Sequence, residues 1–111
     1  MSSGLGSLTL LSDPNSPLPD QGFLTYSSSK AAINALTLIY ANALHPDAIR
    51  STPPARGLVP TDLNAAATFP RGERTTADGA VVPVLLATIS ADGPTGVFRR
   101  GPNSLDDVIP W

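Results

Sequence analysis

The longest uninterrupted pattern in the chain runs from residue 26 to residue 44 and contains neither glycine nor proline. Apolar side chains recur in it at helical spacing. One stripe consists of Ala32, Leu36, Ile39 and Ala43, with Ile33, Tyr40 and Leu44 beside it. The pattern predicts an α-helix that is capped by Thr25 or a nearby serine and ends at His45-Pro46.

The predicted helix carries no charge after Lys30. A helix that is apolar on most of its faces is normally buried, either in the core of its own domain or against a partner. The stripe leaves both interpretations open. In a chain of 111 residues, covering such a helix on every side is difficult, so we expect it to contact a partner.

The rest of the chain predicts shorter elements. Residues 1–25 are rich in glycine and proline, which indicates a loop with at most a single turn of helix. A short helix is expected near Thr61. A second helix is expected from Thr75 or Thr76 to about Ile89, with Asp78 in its first turn, where a carboxylate favours the helix dipole.

Two segments are strand candidates, residues 49–55 and residues 97–99. Pro53 and Pro54 weaken the first candidate, because proline cannot donate a hydrogen bond to a ladder. The adjacent Arg99 and Arg100 are expected to form a solvated turn after the second candidate. We expect Trp111 to hold the C-terminal tail against the protein.

Composition excludes several classes of function. The chain has no cysteine and a single histidine, so neither a disulfide nor a Cys/His metal site is expected. Its formal net charge is -2 and it has no basic run, which excludes a phosphate-binding surface for nucleic acid. No apolar run reaches the 18 or so residues of a membrane span, and no signal peptide is recognisable. We therefore expect a soluble, cytoplasmic protein.

Tyr26 and Lys30 are the candidate chemical pair. They lie four residues apart and so share one face of the predicted helix. Lys30 is the only lysine, and it stands in the first turn, where the helix dipole disfavours a cation. A cation beside a phenol favours the phenolate, and such a tyrosine can exchange a proton with an alcohol or a carbonyl oxygen.

The segment from Tyr26 to Thr37 closely resembles the active-site helix of the short-chain dehydrogenase/reductase family. Three further segments resemble that family in the right order. They are Ser2-Ser3-Gly-Leu-Gly, which resembles the strand with the catalytic serine; Gly57-Leu-Val-Pro-Thr61-Asp, which resembles the loop after the sixth strand; and Gly93-Pro-Thr-Gly-Val-Phe with the Ile-Pro-Trp end, which resembles a carbonyl-reductase-like branch.

The resemblance implies a role for each matching residue. Tyr26 would be the general acid/base, Lys30 would favour its phenolate and bind the nicotinamide ribose, and Ser3 would polarise the substrate carbonyl. Gly57 and Thr61 would lie against the nicotinamide end of NAD or NADP. The substrate would be a small carbonyl or alcohol, and helix 26–44 could form a homo-oligomer contact.

The resemblance also implies an α/β fold, the C-terminal part of a Rossmann-like doubly wound parallel sheet formed by residues 1–111. The sequence contains no Gly-x-Gly-x-x-Gly or Gly-x-x-x-Gly-x-Gly turn. We therefore expect the dinucleotide-binding half to be missing, binding of NAD(P) by this chain to be doubtful, and the chain to be inactive alone. The alternative is a non-catalytic remnant or an interaction module that uses helix 26–44.

Overall fold

The computed structural model describes residues 1–16, 18, 23–100 and 107–111. The α-helices of these ranges are α1 (Leu8–Ser12), α2 (Leu24–Ala43) and α3 (Thr76–Ala87). Short 3-10 helices span Gly4–Gly6, His45–Asp47 and Asp62–Asn64.

Helix α2 confirms the helix predicted from residue 26, with a start two residues earlier. The predicted cap is wrong, because Thr25 lies inside the first turn and the cap position is Phe23, whose side chain makes no capping bond. The helix ends where the amide of Leu44 donates to the carbonyl of Tyr40 at 2.9 Å. Proline at position 46 prevents it from continuing.

Helix α3 and the short helix near Thr61 were also predicted correctly. Thr75 caps α3 by accepting a hydrogen bond from the amide of Asp78 at 3.1 Å, and the Asp78 carboxylate accepts from the amide of Thr75 at 2.9 Å. This reciprocal arrangement satisfies amides that the first helical turn leaves without partners. Thr61 and Asn64 form a similar capping box around the short helix.

The predicted doubly wound parallel sheet is wrong. The described residues contain no β-strand, only isolated bridges. Ser2 pairs in parallel with Ala55, Pro54 pairs in parallel with Arg99, and Arg99 pairs antiparallel with Val108. Pairing extends over one residue at a time, because the prolines before Ala55 lack the N–H groups that a continuous ladder requires.

A small core forms around these bridges. Phe98 is completely buried beside Ala55 and Ile109, and Trp111 stacks on Phe98 with ring centroids 5.5 Å apart. The amide of Thr9 donates to the Trp111 carbonyl at 2.9 Å, so the tail is held as predicted. Arg99 departs from prediction: it is buried, and its Nε and Nη1 atoms have no partner among the described residues.

Helix α2 buries its mainly polar face, not the apolar stripe that the sequence pattern indicated. Its buried residues are Ser27, Asn34, Thr37 and Ala41. The apolar stripe faces outward instead, with Leu36 51%, Ile39 60% and Tyr40 54% exposed. The interpretation of the stripe as core of this chain is therefore wrong.

Candidate functional site

Tyr26 and Lys30 lie together on α2, as the four-residue spacing predicts. The Lys30 ammonium is 5.3 Å from the centroid of the Tyr26 ring, within the range of a cation–π contact. Tyr26 is 43% exposed. The spacing thus brings a cation close to a partly exposed phenol ring.

The N-terminal segment fixes the position of Lys30. Its ammonium donates a hydrogen bond to the carbonyl of Met1 at 3.3 Å. Ser3 follows in extended backbone and caps the 3-10 helix Gly4–Gly6 by accepting from the amide of Leu5 at 3.3 Å. The structure thus places Ser3 next to the segment that contacts Lys30, while no hydrogen bond joins Ser3 to Tyr26 among the described residues.

Asn34 belongs to the site and was not selected from the sequence. It is buried one helical turn after Lys30, accepts from the Ser2 hydroxyl at 2.5 Å and donates to the carbonyl of Gly6 at 2.9 Å. It therefore joins the N-terminal segment to α2. The sequence pattern that could have identified Asn34 is its spacing. Asn34 is a polar residue seven positions after Ser27 and four after Lys30, so all three lie on one face of the helix.

The other two predicted residues lie in a separate loop. Gly57 has φ +72, a left-handed conformation that favours glycine. Thr61 accepts at its carbonyl from the Arg71 guanidinium at 2.7 Å, and Arg74 donates to the carbonyl of Arg56 at 2.8 Å. Arginine contacts therefore hold the loop 56–74, and no hydrogen bond within the described ranges joins Gly57 or Thr61 to Tyr26 or Lys30.

An aromatic pair connects this loop to α2. The rings of Phe23 and Phe69 are 5.6 Å apart and tilted by 58°, a favourable arrangement for aromatic pairs. Phe23 occupies the cap position of α2, three residues before Tyr26. The loop that carries Gly57 and Thr61 thus contacts the end of α2 where the candidate tyrosine lies.

The residues present do not fit the pyrophosphate of a dinucleotide. Such a group binds where a glycine-rich turn opens a helix with free amides. At α3 this place is taken by Asp78, whose carboxylate binds the Thr75 amide. Hydrogen bonds from the Thr75 hydroxyl and amide hold the pKa of that carboxyl below its usual range, which keeps a negative charge there. No glycine-rich turn of the required spacing occurs in the sequence.

The described ranges also bear on metal binding and on membrane insertion. These residues contain no cluster of three or more His, Asp or Glu side chains that could hold a metal ion. They also contain no helix of sufficient length and hydropathy to cross a membrane.

Comparison with known proteins finds similarity among solved structures. Neither a protein-family profile nor a curated protein matches the chain. Among solved structures, the chain is similar to carbonyl reductase Sniffer of D. melanogaster, with a TM-score of 0.67 and 27% sequence identity. The similarity covers 100% of this chain and 39% of that chain.

The chain therefore resembles a part of a short-chain dehydrogenase/reductase. It spans 39% of the length of the reductase that it matches. The similarity lies in the path of the backbone. It does not extend to a continuous sheet, because the paired segments form only isolated bridges within the described residues.

Proposed function

We propose that this chain is the part of an NAD(P)-dependent carbonyl/alcohol oxidoreductase that carries the proton-transfer residues, and that it does not turn over substrate alone. Tyr26 gives a proton to the oxygen of a small carbonyl compound, or takes one from the corresponding alcohol. Lys30 stabilises the charge that this transfer creates. Ser3 orients the substrate oxygen.

The observation that carries the proposal is the pairing of Tyr26 with Lys30 at 5.3 Å, in a chain similar over its whole length to part of a carbonyl reductase. General acid–base catalysis needs a donor that is open to the substrate and positioned by its surroundings. Tyr26 is half-exposed, and the hydrogen bond from Lys30 to Met1 fixes the cation beside it.

The cofactor requirement explains the expected inactivity. NAD or NADP would supply the hydride, and Tyr26, Lys30, Gly57 and Thr61 are the residues proposed to face its nicotinamide end. The described residues offer no binding site for the pyrophosphate, so no step of the reaction is assigned to the chain alone.

A chimera tests the proposal. This chain replaces the matching 39% of the D. melanogaster reductase, and NADPH consumption is measured with a small aldehyde. We expect turnover in the chimera and none in the isolated chain. Tyr26→Phe should lower turnover by about 10²-fold or more, the usual contribution of a general acid.

Tyr40→Phe is the matched control, because Tyr40 is the other tyrosine of the sequence and lies on the same helix with 54% exposure. It should leave turnover nearly unchanged. Equal effects of the two substitutions, or turnover by the isolated chain that Tyr26→Phe removes, would overturn the proposal.

A second candidate function is that of an association module that uses α2. The outward-facing stripe residues Leu36 and Ile39, with Tyr40 beside them, support it, since a contiguous apolar surface marks a contact site. A folded chimera without turnover would favour this second function over the first.

A further inference from the structure

Ser7 joins three parts of the chain through hydrogen bonds. Its side chain is completely buried, and its hydroxyl donates to the carbonyl of Pro110 at 2.5 Å. The same oxygen accepts from the amide of Leu10 at 3.1 Å and thereby caps α1. The amide of Ser7 donates to the carbonyl of Gly4 at 2.9 Å, at the end of the first 3-10 helix. Ser7 therefore connects the tail that contains Pro110 with α1 and with the N-terminal segment.

Trp111 makes a second connection between the tail and this region. Its carbonyl accepts hydrogen bonds from the amide of Thr9, at 2.9 Å, and from the Thr9 hydroxyl. Its ring stacks on Phe98 with an interplanar angle of 22°, and Phe98 belongs to the buried cluster with Ala55 and Ile109. The residues around Ser7 are thus held by a tail that is itself anchored in the core.

The residues before Ser7 contact α2 at Lys30. Gly6 is buried, and a Cβ atom added to it would lie 2.6 Å from the Lys30 carbonyl carbon. The side-chain amide of Asn34 donates to the carbonyl of Gly6 at 2.9 Å. At the start of the same segment, the Met1 carbonyl accepts from the Lys30 ammonium at 3.3 Å. The placement of residues 1–6 on α2 therefore determines whether the ammonium finds this acceptor.

The contacts of the Lys30 side chain are weak one by one. A lysine side chain has high conformational entropy, so it occupies one position only where its surroundings restrict it. A cation–π contact at an exposed site restricts it little, and the hydrogen bond to Met1 is exposed as well. A small displacement of the N-terminal segment is therefore sufficient to release the lysine from the Tyr26 ring.

We propose that Ser7 and Trp111 are positioning residues of the Tyr26–Lys30 pair. They hold residues 1–6 on α2, and the carbonyl of the first residue then keeps the ammonium over the phenol ring. Neither residue forms a hydrogen bond with the pair in the described part of the chain, so both act through the segment between them. The role of the pair in proton transfer rests on the proposed function, whereas the coupling itself is a matter of geometry.

A purely structural role of the tail predicts a different behaviour. If its contacts only stabilise the fold, loosening the tail lowers stability but leaves the lysine over the ring in every molecule that is still folded. If the tail positions the lysine, the contact is lost although α2 remains helical. A measurement of the contact in the folded protein separates these two roles.

Lys30 is the only lysine of the sequence, so the full chain grown with isotope-labelled lysine gives the signal of one side chain in nuclear magnetic resonance. The ring current of Tyr26 displaces that signal, because the ammonium lies 5.3 Å from the ring centroid. Tyr26→Leu removes the ring and gives the undisplaced reference. We expect Trp111→Ala and Ser7→Ala to move the signal most of the way to this reference.

Trp111→Phe should restore the parent signal, because a phenyl ring can still stack on Phe98. Val82→Ala is the matched control for lost stability. Val82 is 1% exposed, and its helix α3 forms no hydrogen bond with residues 1–9 among the described residues, so the lysine signal should stay at the parent position. Circular dichroism identifies the variants that retain the helicity of the parent, and only these are compared.

Ser7→Ala decides the outcome if Trp111→Ala does not fold, since it removes a single oxygen atom and leaves the ring of Trp111 in place. A parent signal equal to that of Tyr26→Leu, an unchanged signal in Ser7→Ala, or an equal displacement in Val82→Ala would each overturn the inference. Turnover is not part of this readout. An inactive chimera, together with a lysine signal that follows the tail variants, counts against the proposed function alone.

Discussion

Gly6 lies directly against the backbone of Lys30. A Cβ atom added at Gly6 would be 2.6 Å from the Lys30 carbonyl carbon and 2.8 Å from the amide nitrogen of Ala31. This close approach brings the N-terminal segment onto α2, and it places the Met1 carbonyl within reach of the Lys30 ammonium. The candidate site thus depends on a glycine that makes no chemical contribution of its own.

We therefore expect Gly6→Ala to destabilise the protein by about 1–3 kcal/mol, the usual cost of forcing extra atoms into close packing. Gly4→Ala is the control, because nothing lies within 4 Å of a Cβ at Gly4. Its effect should stay within about 0.5 kcal/mol. Urea denaturation followed by the fluorescence of Trp111, the sole tryptophan, gives both values. Equal midpoints would contradict the packing argument.

Asn34→Ala should cost about 1–3 kcal/mol, because the Ser2 hydroxyl and the Gly6 carbonyl both lose a buried partner. Asn42→Ala removes the same side chain from an exposed position of the same helix and should be nearly neutral. Thermal unfolding by circular dichroism compares the two variants. A loss of stability in Asn42→Ala as large as that in Asn34→Ala would show that Asn34 is not a structural link.

Phe98→Ala should be the most damaging single truncation. Phe98 is fully buried, and removal of such a ring costs about 3–5 kcal/mol. Near-ultraviolet circular dichroism should also lose the Trp111 signal that depends on stacking at 5.5 Å. Phe69→Ala, at a position 39% exposed, should preserve that signal. Retention of the Trp111 signal in Phe98→Ala would show that Trp111 does not stack on Phe98.

The cap of α3 should make stability depend on pH. The pKa of Asp78 is lowered, first by the Thr75 hydroxyl and then by its amide, so the folded state holds the carboxylate charged. The resulting stabilisation is present above the unfolded value of about 3.9 and is lost as pH falls through the folded pKa. Helicity measured from pH 6 to pH 2 should fall in the parent protein and in the control Asp47→Asn, which both keep the Asp78 carboxylate. Asp78→Asn should have lower helicity at pH 6 and a smaller change with pH. If Asp78→Asn and the parent protein have identical profiles, the cap contributes nothing.

Local structure could be predicted from the sequence. The helix from residue 24 to 43 follows from helical periodicity and the lack of glycine and proline. The start of α3 follows from Thr75 and Asp78, because a capping box satisfies neighbouring amides without help from distant residues. The contact between Tyr26 and Lys30 follows from their spacing alone.

The fold class could not be obtained in this way. The resemblance implied a parallel sheet, but pairing between residues 2, 55 and 99 depends on segments far apart in sequence and on available N–H groups. Prolines at 53 and 54 remove such donors at the central segment. Isolated bridges result where strands were expected.

The sequence by itself determined helices α2 and α3, the cap of α3 and the Tyr26–Lys30 pair, because each depends on residues within one or two helical turns. The tertiary structure decided which face of α2 is buried. Periodicity selected the stripe of Leu36 and Ile39, whereas Gly6 and Ser2 approach the helix at Asn34 and bury its polar face. Hydrogen bonds between distant segments made that choice, and they leave the apolar stripe and the candidate tyrosine on the outside.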